Sequence, residues 1–99
     1  MLNTNRVIWR FPFVINDSVM VLMPKGARVL SVEMVREQPS VYAVVDPDAP
    51  PAEVRFRLFG TGHVHSPTDF PSTFVGTFQI PEAALVFHLF QEEAPDARP

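Results

Sequence analysis

The residues of this chain best suited to hold a ligand are two arginines and a histidine-bearing loop. The stretch Phe59-Gly-Thr-Gly-His-Val-His-Ser-Pro-Thr-Asp-Phe-Pro71 holds two of the four glycines and two of the three histidines. Gly60, Thr61 and Gly62 can turn successive backbone N–H groups inward, a concavity suited to an anion. Just before it, Arg55 and Arg57 project from one face of an alternating run. Their planar guanidinium forks suit phosphate and carboxylate, and seven of the eight basic residues are arginine. The chemistry implied is capture of a phosphate- or carboxylate-bearing small molecule by Arg55, Arg57, the amides of Gly60, Thr61 and Gly62, and His63. Phe59 would be the surface on which a base or ring stacks. The simpler reading is a connection that needs glycine to bend, with both arginines on a solvated face. The Gly-Thr-Gly spacing is no dinucleotide fingerprint, since the third glycine and the following helix are missing.

Other chemistries find less support. His63 and His65 share one side of an extended segment, and His88 or Asp69 could complete a metal site. No H-E-x-x-H motif or carboxylate cluster backs them, so neither a metal nor any other cofactor is expected. Ser66 and Ser72 lack the strained Gly-x-Ser-x-Gly turn of a nucleophile, and Asp46 and Asp48 around Pro47 read as turn residues. An enzyme is therefore not expected. Stacking of single-stranded nucleic acid on the aromatic residues would need a basic groove, which a net charge of −3 does not offer.

What must position these residues is a β framework. Eleven prolines recur through 99 residues, and a helix interior loses about 3 kcal/mol at each. Between them lie seven short runs rich in Val, Ile and Phe: 7–13, 19–23, 28–36, 40–46, 53–59, 73–80 and 85–91. The expectation is an all-β domain, a small antiparallel sandwich or barrel of about seven strands. Turns fall at 16–18, 24–26 and Glu37-Gln38-Pro39, with a helical turn opening at Pro81. Residues 81–91 also fit a helical period, which leaves strand and helix both open there. Alternation puts Trp9, Phe11, Phe56, Phe74 and Phe87 in the core, with Phe74, Gly76, Phe78 and Ile80 on one face.

At 46% hydrophobic and 19% charged, the chain can bury a core and is no disordered segment. Without cysteine there is neither a disulfide nor a thiolate. The longest apolar runs are far short of the roughly 18 residues that span a bilayer, and the first residues lack a signal-peptide pattern. Residues 1–91 form one domain, and 92–99, acidic and proline-containing, read as a flexible tail. Runs 19–23 and 85–90 are apolar on both faces, more than one small sandwich readily buries. A homo-oligomer, most simply a two-fold dimer, is expected, and cover by proline-rich loops is the alternative.

Several motifs together resemble a known group. Met23-Pro-Lys-Gly-Ala27, Val44-Val-Asp-Pro47, Arg57-Leu-Phe-Gly-Thr-Gly-His63, Val75-Gly-Thr-Phe-Gln79 and Leu85-Val-Phe-His-Leu-Phe90 look like a family of small uncharacterised phage and prophage proteins. That resemblance implies a viral accessory protein in the host bacterial cytoplasm, binding a host component. Combined with the loop, it implies sequestration of a phosphorylated or nucleotide-like defence signal. The other implied role is a structural or protein-interaction module, such as a virion accessory or an inhibitor of a host protein.

Overall fold

The computed structural model describes residues 5–93. Seven antiparallel strands form two sheets, as the spacing of the prolines predicts: β1 (Val7–Pro12), β2 (Ser18–Pro24), β3 (Arg28–Val35), β4 (Gln38–Val45), β5 (Pro51–Gly60), β6 (Thr73–Ile80) and β7 (Leu85–Gln91). One sheet has the order β1-β4-β3 and the other β2-β5-β7-β6. Their inner faces enclose Phe13, Val19, Met23, Val32, Val41, Ala43, Val45, Phe56, Leu58, Phe78 and Leu89. No helix among the described residues is long and apolar enough to cross a membrane.

Residues 81–91 resolve into a strand. Pro81–Ala83 makes a single 3-10 turn, and Ala84 reverses the chain with φ 54° before β7 begins. The hairpin between β3 and β4 turns one residue earlier than expected. Arg36 and Glu37 form its two-residue loop with φ of 48° and 69°, which leaves Gln38 and Pro39 inside β4. Positive φ at both positions gives the turn a twist that matches the strands it joins.

Two bulges overturn part of the expected face assignment. The β3–β4 register shifts between Val29 and Ser31, so Val29 turns toward the core, and Leu30, which strict alternation groups with Val32 and Met34, is exposed. The β6–β7 register shifts between Phe74 and Gly76. Phe74 therefore pairs with Phe90 on the outer face and is 55% exposed, while Gly76 and Phe78 face inward. An inserted residue reverses every side chain beyond it, which strict alternation cannot foresee. The two bulged strands pack together and close one flank of the sandwich. At Gly76 a Cβ would lie 3.0 Å from Val32 Cγ1, so glycine permits the sheets to meet there.

The opposite flank stays open. β1 and β2 are each paired on one side only. Trp9 and Val7 pair with the buried Ala43 and Val45 of β4 and share their face, yet both remain exposed. Of the five aromatic residues expected in the core, Phe56 alone is fully buried. Phe11 and Phe87 pack against the core from its margin, and Trp9 and Phe74 do not join it.

The two runs that are apolar on both faces also part company. The outer side of β7 is half covered by the loop 61–72, whereas Met20 and Leu22 on the outer side of β2 lie open. Glu92 continues the ladder with its N–H on the Arg55 carbonyl at 2.8 Å. Of the tail expected over 92–99, residues 94–99 lie outside the described residues.

Candidate functional site

Alternation along β5 sends Arg55, Arg57 and Phe59 to the outer face of the four-stranded sheet, away from Phe56 and Leu58. The loop 61–72 folds back over the far end of that face and builds a second aromatic cluster there. Phe59 is its centre, only 3% exposed although it lies outside the main core. Phe70 from the loop lies over it with ring centroids 4.5 Å apart and a tilt of 34°. His65 and Phe90 meet it edge-on at 4.9 and 5.5 Å. Phe74, displaced outward by the bulge, extends the cluster through Phe90 at 5.3 Å.

Local chemistry pins the loop. Gly60 and His63 close a turn through the His63 N–H and the Gly60 carbonyl at 3.3 Å, with φ of 90° at Gly62, a value that favours glycine. The imidazole of His63 lies against Gly60, where a Cβ would come within 3.0 Å of the ring. Farther on, Ser66 caps the short 3-10 turn Pro67–Asp69, and its N–H donates to Asp69 Oδ2 at 2.9 Å. This cap delivers Phe70 onto Phe59 and occupies both Ser66 and Asp69 structurally. Asp69 Oδ2 also stands 4.0 Å from His65 Nδ1.

His88, on the outer side of β7, bridges two hydroxyls. Its Nε2 is 2.6 Å from Thr61 Oγ1 and its Nδ1 is 2.9 Å from Thr77 Oγ1. One proton arrangement satisfies the whole chain. Thr77 donates to Nδ1, Nε2–H donates to Thr61, and Thr61 donates onward to the Val86 carbonyl at 3.4 Å. The spacing of Thr61 and His88 resembles that of a nucleophile and its base. Nothing here orients the base with negative charge, however, since Thr77 is a neutral hydroxyl. The nearby amides are also engaged, that of Thr61 by the Val86 carbonyl at 3.1 Å and that of His63 by Gly60.

The residues singled out by sequence are thus divided. Phe59, Gly60, Thr61, Gly62 and His63 line one pocket of about 290 Å³ together with His65, Phe70, Phe74, His88 and Phe90. Arg57 is not among its walls, and neither is Arg55. Arg55 pairs with Glu53 at 2.6 Å and borders a different recess beside Glu92 and Glu93. Arg57 stands between the two regions, its guanidinium carbon 5.3 Å from the centre of the Phe59 ring. Two expected features are altered by this. Of the amides expected to cradle an anion, that of Thr61 is taken by the Val86 carbonyl, and Phe59 is roofed by other rings instead of presenting a free stacking face.

All three histidines of the chain reach this pocket. Phe70, Phe74 and Phe90 are not among the site residues expected from the sequence, and His88 enters there only as a metal-ligand candidate beside His63 and His65. The outward parity of β7 was the available signal for His88 and Phe90, while Phe74 depends on the bulge. Among the described residues no group of three or more His, Cys, Asp or Glu side chains is placed to hold a metal ion. Residues 4–99 match the model of a family described as Domain of unknown function (DUF7352). No curated protein and no solved structure matches the chain.

Proposed function

We propose, for a chain that belongs to the DUF7352 family of unknown function, a role as a non-enzymatic binding protein for a small anionic molecule with a planar ring. One observation carries this reading. Among the described residues, the two buried side-chain polar atoms without a hydrogen-bond partner are Arg57 Nε and His65 Nε2. Both belong to side chains packed on Phe59. An unpaired buried polar atom costs about 1–3 kcal/mol, so a ligand that displaces their cover and bonds to these two would recover that free energy. The pocket is at the small end of the range for such sites, roughly 300–1,000 Å³. Its apolar floor and imidazole rim suit a ring bearing hydrogen-bond acceptors.

A phosphorylated or nucleotide-like ligand, sequestered by a phage accessory protein in its host, is the specific form of the proposal. The phage setting and the defence signal rest on the motif resemblance alone. Calorimetry with a panel of nucleotides and cyclic nucleotides tests it. The expected result is micromolar binding that Arg57→Gln abolishes and Arg55→Gln leaves within about twofold, because Arg55 borders another recess. If no member of the panel binds below about 1 mM, the weak end of the affinity scale, the capture reading is refuted. A second reading, a protein-interaction module, is favoured by the exposed Ile8, Trp9, Val14, Met20 and Leu22 on and beside the two strands of the open flank.

A further inference from the structure

We infer that the free edge of β2 pairs with the same edge of a second copy of this chain, antiparallel about a two-fold axis through Val21. This gives the protein-interaction reading its partner and does not depend on the ligand pocket. The argument begins with the hydrogen-bond phase of β2. Leu58 donates to the Asp17 carbonyl at 3.0 Å, and Lys25 donates to the Pro50 carbonyl at 2.7 Å. Given the register of Val19 with Phe56, Val21 with Val54 and Met23 with Ala52, the odd-numbered residues of β2 bond to β5. Ser18, Met20 and Leu22 therefore direct both N–H and C=O away from the sheet. An open cleft of about 550 Å³ runs along Ser18 to Leu22 beside that edge.

The other edges are protected and this one is not. β1 carries Arg10 and Pro12 at the positions that face its own free side, since the Phe13 N–H on Pro39 assigns the odd residues to β4. Charge and proline are the usual guards of an edge strand. β6 is bulged and packed against β3. β2 also ends on a proline at its free side, Pro24, but from Ser18 to Met23 it has no charge, and Met20 and Leu22 are 46% and 57% exposed.

A second copy fits this edge in register. Val21 is the midpoint of Ser18–Pro24, so an antiparallel mate sets Met20 opposite the second copy's Leu22, with both bonds of that pair formed. Ser18 N–H meets the second copy's Pro24 carbonyl, and at this pair, repeated by the two-fold axis, the missing N–H of proline leaves a bond unmade. Outward residues stay outward, and Val19, Val21 and Met23 of both copies continue one inner face. The charges behind this edge do not oppose the pairing. Arg55 and Glu53 on β5, beside Met20 and Leu22, neutralise each other as an ion pair within each copy.

Light scattering of the full chain tests this, with disulfide trapping to locate the contact. At tens of micromolar the wild type is expected at twice 11.1 kDa. The pair Met20→Lys and Leu22→Lys, which sets like charges opposite each other, should raise the dissociation constant at least tenfold. The pair Met20→Glu and Leu22→Lys should restore dimerisation, because the pairing register sets opposite charges together. Val21→Cys, in a chain without cysteine, should form an intermolecular disulfide on mild oxidation, and Met20→Cys should form far less. A monomeric wild type at these concentrations overturns the inference. A dimer that ignores the lysine pair and is not trapped at Val21 overturns it as well. Melting curves confirm that each variant is folded, and the ligand titration above is read separately, so either reading can fail alone.

Discussion

Removing the ring of Phe70 tests whether the loop 61–72 is a separately held cover over Phe59. Phe70 is 43% exposed, so a little over half of a ring side chain that offers ~200 Å² is buried. That is roughly 110 Å², about 3 kcal/mol at ~25 cal/mol/Å², an upper value because the unfolded chain is itself partly compact. The ring contact with Phe59, tilted by 34°, is of a kind that adds about 0.5–1.5 kcal/mol. After that allowance, Phe70→Ala should weaken closure of the loop by about 2–3 kcal/mol. The sandwich core lies on the other face of the sheet, so the loss should fall on local opening and not on global unfolding. Hydrogen exchange measured by peptide mass spectrometry is the assay. Amides of 61–72 should exchange roughly 30–100-fold faster, at about tenfold per 1.4 kcal/mol, while those of β4 and β5 keep their rates. An unchanged loop, or an acceleration equal in loop and core, would falsify the picture of a second cluster that opens by itself.

Phe56→Ala should cost about 3–5 kcal/mol, since the ring is 1% exposed and its removal leaves a cavity in the core. Phe74→Ala, on the bulged part of β6, should cost less than about 1.5 kcal/mol, and chemical denaturation of the two variants checks the contrast. The pair Arg36→Asn and Glu37→Gly should stabilise the protein by about 1 kcal/mol, because both positions have positive φ and these residues adopt it more readily. That gain corresponds to a rise of about 4–8 °C in Tm for a domain of this size. A lower Tm would show that the native side chains contribute more than the backbone loses.

Local chemistry was sufficient for most of the secondary structure, leaving open strand or helix over 81–91 and placing the β3–β4 turn one residue late. Proline spacing excluded long helices, and the runs of Val, Ile and Phe between the prolines marked seven strands. Pro81 marked the turn before β7, and the glycine-rich segment after β5 marked the loop. These features depend on residues near one another in the chain, so their types and order were enough. The faces were legible only up to the bulges. One extra residue at Leu30 or Val75 reverses parity, and whether it is accommodated depends on the strand alongside.

The site divided in the same way. Its loop was legible, but the companions of that loop were not. Arg55 and Arg57 share a face, yet Glu53 draws Arg55 into an ion pair while Phe59 holds Arg57. Phe70, Phe74 and Phe90 come from three separate segments and meet only because β5, β7 and β6 lie side by side. Strand order also decided which doubly apolar strand was covered. β7 sits inside its sheet beneath the loop 61–72, and β2 falls at an open edge. No periodicity along the chain carries that distinction, since it belongs to the pairing of strands distant in sequence and to the closure of one flank of the sandwich over the other.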